Sequence, residues 1–226
     1  MKSDEALLGM RSNLESPRCV EDTVPGLVVQ RRVKNCLDYI ATGVLIVALS
    51  PVFVAIGALV ALEGGWPIIY RRRVMGRNGT FEAFKFRSMK KDADAILAAD
   101  PILSAEFEQN YKLKDDPRLT RLGPFLRKSS LDELPQLFNV LGGDMSLVGP
   151  RMKTAAEVER YGTYKELLLS VKPGITGYWQ IHGRQTVDYE ERIRMDMHYI
   201  QNWSLGMDLK ILLGTPLKVL KREGAY

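Results

Sequence analysis

The sequence has little cysteine and little histidine. Among 226 residues there are two of each: Cys19, Cys36, His182 and His198. The cysteines suggest neither a disulfide framework nor a metal-ligand spacing, which fits a protein facing a reducing compartment. The histidines lie too far apart for a simple ligand pair, so we expect them to pack or to form hydrogen bonds. The opening stretch, MKSDEALLGMRSNLESPR, lacks an apolar run before a small-residue cleavage site, which predicts no cleavable signal peptide.

The charge balance is mildly basic. The chain has 32 Lys and Arg against 27 Asp and Glu, which gives a net charge of +5 and a pI near 9.1. This balance suits a partner that carries phosphate, whether a lipid, a nucleotide or a nucleic acid, and charge alone cannot choose among them. The length favours one domain with an anchor over two independent domains.

One long stretch without charge, Tyr39 to Leu62, dominates the N-terminal part of the chain. Its roughly two dozen residues exceed the number that a membrane-spanning helix requires, which is about 20. Basic residues flank both ends, and the positive-inside tendency draws both ends toward the cytoplasm. These residues are Arg31, Arg32 and Lys34 before the stretch, and Arg71, Arg72 and Arg73 after it. A single straight span cannot satisfy both flanks.

The dipeptide Ser50-Pro51 lies in the middle of this stretch. Proline removes a backbone donor and bends a helix sharply. We therefore predict a re-entrant helical hairpin, bent at Ser50 and Pro51, that enters and leaves one leaflet. Each arm of about a dozen residues would extend about 18 Å into a hydrocarbon layer of about 30 Å. A kinked single-pass helix and a buried core helix stay open as alternatives.

After Gly64-Gly65 the pattern predicts one β-hairpin and then mainly helices. Apolar and aromatic residues on both sides of the turn at 77–80 are typical of paired strands. Spacing and breakers predict helices over 90–111, 131–141, 154–171 and 189–203. A C-terminal amphipathic helix from Met207 is predicted to lie at a membrane interface, with an ordinary surface helix as the alternative. The predicted organisation is a cytosolic N-terminal arm (1–32), a re-entrant membrane helix (33–64) and a cytosolic or interfacial domain (65–226).

Asp132 and Glu133 are adjacent carboxylates near the start of a predicted helix. Local structure alone could explain them, since Ser130 and Glu133 have the spacing of a capping box. A chemical interpretation rests on the surrounding cations, which are Lys85, Arg87, Arg118, Arg127 and Arg151. A carboxylate can attack a phosphoryl group and form an acyl phosphate if cations or Mg²⁺ neutralise the repulsion between the anions. The cations therefore favour a phosphate-bearing substrate.

Four ordered segments make the chain resemble a known family. The segments FKFRSM, SSLDELPQLFNVLGGDMSLVGPR, KPGITGYWQIHGR and MDLKILLGTPLKVLKREG resemble the bacterial sugar transferase family of monotopic phosphoglycosyl transferases. The similarity covers Val33 to Tyr226. It implies a helix-rich α+β fold, in which a re-entrant helix bent at Ser-Pro and interfacial amphipathic helices surround a small cytosolic catalytic core. It also implies an enzyme of the bacterial inner membrane, with its catalytic domain (65–226) on the cytoplasmic face.

The implied reaction moves a sugar 1-phosphate from a UDP-sugar to polyprenyl phosphate and releases UMP. By the resemblance, Asp132 would attack the β-phosphate and carry the phosphosugar covalently, while Glu133, together with Asp132, would hold Mg²⁺. Asp196 is similar to a polar active-site partner, and Pro173 to Gly177 resemble part of the nucleotide-sugar site. The full predicted substrate and phosphate site is Lys85, Arg87, Arg118, Arg127, Pro150, Arg151, Thr176, Gly177, Arg184 and Asp196.

Some positions depart from the family pattern. Met152 stands where proline is common, Tyr178-Trp179 where Trp-Ala is common, and Asn35 where a second basic residue is common before the membrane helix. The run Asp-Pro-Arg-Leu-Thr and the C-terminal segment are similar to members that start exopolysaccharide assembly with hexoses, which implies UDP-galactose or UDP-glucose as donor.

A second class of function stays open on pattern alone. It is a non-catalytic, basic, membrane-tethered protein that binds anionic lipid or nucleic acid, and such a protein would not need Asp132. The family resemblance instead implies no nucleic-acid partner. It leaves the oligomeric state open, a homodimer included.

Overall fold

The computed structural model of the chain describes residues 25–110, 113, 115–182 and 188–220. Residues 1–24 of the predicted N-terminal arm lie outside this range. The α-helices are α1 (Pro25–Gly64), α2 (Ala93–Ala99), α3 (Pro101–Asn110), α4 (Gly123–Lys128), α5 (Gln136–Leu141), α6 (Ala155–Glu159), α7 (Lys165–Leu169), α8 (Tyr178–His182), α9 (Tyr189–Gln201) and α10 (Leu205–Leu220). The strands are β1 (Ile69–Gly76), β2 (Gly79–Phe86), β3 (Ser146–Val148) and β4 (Gly174–Thr176), and 3₁₀ turns lie at Leu131–Glu133 and Gly162–Tyr164. The predicted helix-rich α+β class is confirmed.

The predicted β-hairpin is confirmed. β1 and β2 pair antiparallel from Ile69 opposite Phe86 to Gly76 opposite Gly79, which leaves a two-residue turn. Gly79 has a φ of +107°, a conformation that residues with a side chain rarely adopt, so glycine suits this position. The hairpin thereby positions the side chains of β2 against the rest of the body.

The parallel pair of β3 and β4 was not predicted. Ser146 lies opposite Gly174, and Val148 lies opposite Thr176. Each strand has three residues, which is too short for a period-two pattern to be recognised. The segment between the helices predicted over 154–171 and 189–203 therefore contains a strand, followed by the short helix α8.

Prolines and glycines divide the predicted helices more than expected. The helix predicted over 90–111 is interrupted at Asp100, because a residue before proline is disfavoured in the α conformation. The Asp100 carboxylate accepts hydrogen bonds from the amides of Ile102 (2.9 Å) and Leu103 (3.0 Å) and so begins α3. Pro135 separates the 3₁₀ turn from α5, and Gly162, with a φ of +53°, separates α6 from α7. The helix predicted over 189–203 is confirmed as α9.

Helix α1 runs unbroken through Ser50 and Pro51, so the expected separation into two helical arms is not seen in this described segment. Pro51 lacks the N–H that would bond the carbonyl of Val47. The Ser50 hydroxyl donates to that same carbonyl at 2.8 Å, which explains how the helix continues past the proline. The re-entrant course through a bilayer stays a prediction.

One side of α1 packs along the body over most of its length. Near its start, Lys34 contacts β3 and α10, and in its second half the Phe53 ring lies 5.9 Å from that of Phe86. At its end, the Glu63 carboxylate accepts from the Leu122 amide at 3.1 Å. Buried Ile56 and Val60 complete a small core with Phe86 and Leu126. The body therefore holds α1 at both ends and in the middle.

The opposite side of α1 is apolar and exposed. Residues 29–64 are long and apolar enough to cross a membrane by length and composition, and 17% of the most apolar window is buried against the body. The exposed side includes Ile40, Val44, Val47, Val54 and Leu62. Exposed leucines also lie along α10, at Leu209, Leu213 and Leu217, which agrees with the predicted amphipathic character of that helix.

Candidate active site

The adjacent carboxylates lie in the 3₁₀ turn between α4 and α5. Ser130 precedes the turn with a φ of 56°, in the left-handed region that non-glycine residues rarely adopt. In this described turn the Ser130 side chain makes no capping hydrogen bond, so the capping-box interpretation is wrong. Asp132 and Glu133 are instead buried, with 5% and 8% of their surfaces exposed. Two buried carboxylates in sequence require cations nearby.

Lys85 and Arg151 supply those cations. Lys85 Nζ, on β2, lies 2.6 Å from Glu133 Oε1 and 3.7 Å from Asp132 Oδ2. Arg151, just after β3, donates from Nη1 to Glu133 Oε2 at 3.2 Å and from Nη2 to Oε1. We call Lys85, Asp132, Glu133 and Arg151 the charged cluster. It unites two of the four segments that carry the family resemblance, FKFRSM and SSLDELPQLFNVLGGDMSLVGPR.

The two carboxylates of the charged cluster differ in electrostatics. Burial disfavours the ionised form of Glu133, but Arg151 and Lys85 outweigh this effect and hold its pKa well below the usual range. Burial raises the pKa of Asp132, and the charge of Glu133 adds to that effect, while Lys85, Arg127 and Arg151 oppose it. Glu133 is thus the ion-paired member and Asp132 the less completely paired one.

Arg118 and Arg127 meet at Asp116. The Asp116 carboxylate accepts from Arg118 Nε at 2.7 Å and Nη2 at 2.8 Å, a bidentate pair that is buried. Arg127 Nη1 lies 3.6 Å from Asp116 Oδ2, and burial lowers the Arg127 pKa against the attraction of Asp132 and Asp116. Arg127 therefore borders the charged cluster, whereas Arg118 is engaged by Asp116 within its own loop.

Arg87 lies at the end of α1. Its guanidinium donates to the carbonyl of Gly64 at 2.6 Å and also to that of Gly65. These are carbonyls that a helix leaves without partners at its C-terminus. The geometry gives Arg87 a capping role, and its predicted phosphate contact stays a prediction.

Pro150, Thr176 and Gly177 form the backbone support behind Arg151. The Pro150 carbonyl accepts from the Gly174 amide at 2.8 Å, and the Thr176 carbonyl accepts from the Gly149 amide at 3.0 Å. A Cβ on Gly177 would overlap the Gly149 carbonyl oxygen, so only glycine permits this close approach of the two backbone segments. All three predicted residues are buried.

Asp196 lies in a second group of charges next to Arg151. It is 1% exposed, and its Oδ2 accepts from the Tyr161 hydroxyl at 2.7 Å. Oδ1 is buried without a hydrogen-bond partner in the described part of the chain. Burial raises the pKa of Asp196 to about 6, although Lys153 and Arg151 favour its ionised form.

Sequence reasoning missed Lys153. It is buried, and its Nζ lies 5.6 Å from the ring centre of Tyr161, 5.9 Å from that of Trp179 and 5.5 Å from that of Tyr189. Burial lowers its pKa, and Asp196 opposes this effect. One sequence signal could have found it. Residues two apart on extended backbone lie on the same side, and Lys153 is two residues after Arg151, which was already a candidate.

Two of the departures from the family pattern have structural explanations, whereas the exposed Asn35 has none among the described residues. Met152, 4% exposed, packs in the main core, so a methionine serves there as a buried apolar residue. Trp179 is buried, with the Arg192 guanidinium 5.1 Å above its ring, and therefore presents no free face for a base. Tyr178 stacks on His182 at 4.1 Å, as expected for a histidine that packs. Arg184, predicted to bind phosphate, lies outside the described residues.

A comparison with protein families decides the class of the chain. The sequence profile described as bacterial sugar transferase matches residues 29–222. The chain belongs to the bacterial sugar transferase family.

Individual members of this family are similar over most of the chain. The undecaprenyl-phosphate galactose phosphotransferase of Salmonella typhimurium is 46% identical over 201 residues, which are 87% of this chain and 42% of that protein. The exopolysaccharide production protein ExoY of Sinorhizobium fredii is 43% identical over 198 residues, 85% of this chain and 88% of that protein. The UDP-glucose:undecaprenyl-phosphate glucose-1-phosphate transferase of Escherichia coli K12 is 39% identical over 207 residues, 88% of this chain and 42% of that protein. This sugar transferase chain thus spans less than half the length of some relatives and most of the length of another.

Asp196 predicts a pH dependence of stability. Its pKa rises from an ordinary 3.8 to about 6 on folding, so between these values the native state holds a proton that the unfolded state has lost. The contribution of Asp196 to stability therefore falls as the pH rises from about 4 to about 6 and stays low above that. The substitution Asp196→Asn removes the titration. The melting temperature of the variant, measured relative to that of the parent, should therefore increase as the pH rises through this interval.

Thermal unfolding in detergent at several pH values measures this difference. Asp94→Asn, which replaces an exposed aspartate by the same amide, is the matched control and should not reproduce the gain seen for Asp196→Asn. A pH-independent difference for Asp196→Asn would show that its carboxyl group does not titrate as described.

Proposed function

We propose that the chain transfers a sugar 1-phosphate from a UDP-sugar to undecaprenyl phosphate and releases UMP. The observation that carries the proposal is the charged cluster, in which two adjacent buried carboxylates lie against Lys85 and Arg151. Such a site can bind phosphate through its cations and present a carboxylate to phosphorus. Family membership supports the reaction class, since the Salmonella and E. coli relatives are named for hexose phosphate transfer to undecaprenyl phosphate.

Asp132 is the better nucleophile of the pair. Both oxygens of Glu133 accept hydrogen bonds from Arg151, and one also accepts from Lys85. Among the described residues, the ion pair of Asp132 is to Lys85 alone, at the longer distance of 3.7 Å, so its oxygens are less occupied. Because burial raises the pKa of Asp132, the neighbouring cations are needed to keep its ionised form available.

The reaction has two steps that balance. First, an Asp132 oxygen forms a bond to the β-phosphorus of the UDP-sugar, the bond from that phosphorus to the bridging oxygen breaks, and UMP leaves. Second, an oxygen of undecaprenyl phosphate attacks the same phosphorus and releases the Asp132 carboxylate. The product is undecaprenyl diphosphate sugar. Lys85 and Arg151 donate to the phosphate oxygens in both steps and reduce the repulsion between anions.

A membrane surface completes the arrangement. The exposed apolar sides of α1 and α10 provide lipid contact. The body holds α1 at both ends and in the middle, and this supports a course in which α1 enters and leaves one leaflet without crossing it. The body would then lie on the cytoplasmic side of the inner membrane, where a soluble UDP-sugar meets the headgroup of a polyprenyl phosphate.

A hexose is the proposed sugar. The Salmonella relative is named for galactose and the E. coli relative for glucose, and the rhizobial relative is named for exopolysaccharide production. We propose UDP-galactose or UDP-glucose as donor and the first membrane step of exopolysaccharide assembly as the role. A screen of UDP-hexoses against UDP-N-acetylhexosamines, scored by UMP release, tests this choice.

Mg²⁺ is the proposed cofactor. In the described part of the chain no group of three or more His, Cys, Asp or Glu could hold a metal. Mg²⁺ sites in phosphoryl transfer often use one or two carboxylates together with substrate phosphates. The less occupied oxygens of Asp132 fit that pattern, and Glu133 would join as a ligand by exchanging a hydrogen bond from Arg151 or Lys85. When bound, the ion would neutralise charge on the diphosphate. Chelation by EDTA should stop UMP release and added Mg²⁺ should restore it, whereas full activity in EDTA would contradict the proposal.

Asp132→Asn tests the nucleophile. The amide cannot form the acyl phosphate, so UMP release should fall at least 1000-fold, while sedimentation with membranes stays unchanged. A phosphosugar labelled with ³²P should be trapped on the parent protein and not on the variant. Asp115→Asn, at an exposed aspartate of the neighbouring loop, is the matched control and should keep its activity.

The same experiment separates the second candidate function. A non-catalytic tether for anionic lipid or nucleic acid would show no UMP release in the parent and no change in binding on Asp132→Asn. UMP release that survives the substitution would instead remove Asp132 from the nucleophile role and leave the transferase class in place.

Cysteine labelling tests the membrane course. After Cys19→Ser and Cys36→Ser, single cysteines at the exposed positions Arg32 and Arg73 report on the two ends of the membrane segment. Both should be shielded from a membrane-impermeant thiol reagent added to the periplasmic side, and both should react after the membrane is opened. Labelling of only one of them from the periplasm would establish a spanning helix.

A further inference from the structure

Three side-chain donors lie within hydrogen-bond distance of the carbonyl oxygen of Val148. Lys34 Nζ of α1 lies 3.1 Å from it, the Ser146 hydroxyl of β3 2.9 Å and the Tyr199 hydroxyl of α9 3.2 Å. A carbonyl oxygen has two lone pairs. Val148 is followed directly by Gly149, Pro150 and Arg151, so these donors converge just before the arginine of the charged cluster.

Two buried carboxylates compete for the same donors. The Ser146 hydroxyl also donates to Asp38 Oδ2 at 2.6 Å, and the Tyr199 hydroxyl also donates to Asp208 Oδ1 at 2.8 Å. Each hydroxyl has one proton, and each lies closer to its carboxylate than to the carbonyl. Hydrogen bonds to an ionised acceptor are the stronger ones. The hydroxyl protons therefore go mainly to the carboxylates.

Lys34 is the donor that can serve all three acceptors at once. Its ammonium group has three protons. Nζ lies 2.5 Å from Asp208 Oδ2, 3.6 Å from Asp38 Oδ2 and 3.1 Å from the Val148 carbonyl. Its side chain is 14% exposed and that of Asp208 is 8% exposed, so water competes little. One cation thus joins α1, α10 and the backbone before Arg151.

The other side of this backbone is equally restrained. Gly149 donates to the Thr176 carbonyl at 3.0 Å, and the Gly174 amide donates to the Pro150 carbonyl at 2.8 Å. A Cβ on Gly149 would lie 2.6 Å from the Lys172 carbonyl oxygen, so the two segments are in close contact. β4 therefore holds the backbone from Gly149 to Pro150 on one side, and Lys34 holds the Val148 carbonyl on the other.

We propose that Lys34 is a positioning residue for Arg151: by holding the Val148 carbonyl between α1 and α10, it links the seating of the membrane helix to the arginine that binds Glu133. This inference rests on the proposed function for its effect on rate. It assigns Lys34 a role beyond that of a basic residue flanking a membrane segment. It also explains why a lysine near the start of α1 is largely shielded from water.

Lys34→Met tests the proposal because it keeps the length of the side chain and removes its three donors. Per folded protein, kcat for UMP release should fall at least tenfold, with KM for the UDP-sugar changed less than threefold. Asp208→Asn should act in the same direction. Arg32→Met, which removes an exposed cation on the same helix, is the matched control and should keep kcat within twofold.

Coupling to Arg151 distinguishes positioning from general destabilisation. In an Arg151→Lys background, Lys34→Met should lower kcat less than twofold further, because the group through which it acts has already been altered. Ile211→Ala, a core change on the same helix as Asp208, should lower the melting temperature without this loss of kcat. An equal loss in both backgrounds, or an equal loss in Arg32→Met, overturns the proposal.

Hydrogen exchange provides a readout that needs no turnover. In Lys34→Met the amides of 146–149 and 151 should exchange at least tenfold faster, while those of the hairpin at 69–86 stay unchanged. Unchanged exchange at these five amides overturns the positioning role. A parent protein that releases no UMP from any UDP-sugar would refute the proposed function, and the exchange result would still decide the role of Lys34.

Discussion

The site depends on the bridge that Glu133 makes between Lys85 and Arg151. These three side chains come from the 3₁₀ turn, the hairpin and the segment after β3, and their ion pairs are mostly shielded from water. Removing one partner of such a pair leaves a buried charge without compensation, which costs several kcal/mol as an order of magnitude. The bridge therefore constrains three elements at once, and it leaves Asp132 as the carboxylate with fewer partners.

A second constraint acts on α1, whose two sides have different surroundings. One of its sides supplies Ile56 and Val60 to a core shared with Phe86, and the other is apolar and exposed. Because the same helix contributes Lys34 to the network around Val148, the exposed apolar side and the backbone that precedes Arg151 are linked through one element. A lipid-facing helix that was merely tethered to the body would need no such buried contacts.

Much of the fold followed from local patterns. The turn between β1 and β2 and the helix α9 are properties of short segments, so periodicity and turn residues were enough to predict them. The parallel pair β3 and β4 was missed because it joins short strands that are far apart in sequence. The capping box at Ser130 was wrong for a related reason: Glu133 has the spacing for a local bond, but Lys85 and Arg151 offer stronger, charge-assisted ones.

The sequence by itself determined the apolar segment, the Asp132-Glu133 pair and the family, because these are carried by composition and by ordered motifs. Only the tertiary structure decided which cations face the carboxylates. Lys85 and Arg151 reach Glu133, whereas Arg87 caps α1 and Arg118 pairs with Asp116. All four are cations near apolar residues in the sequence, and nothing local distinguishes them. The physical reason is that an ion pair depends on distance in space, and the hairpin, the turn and β3 come together only when the core forms.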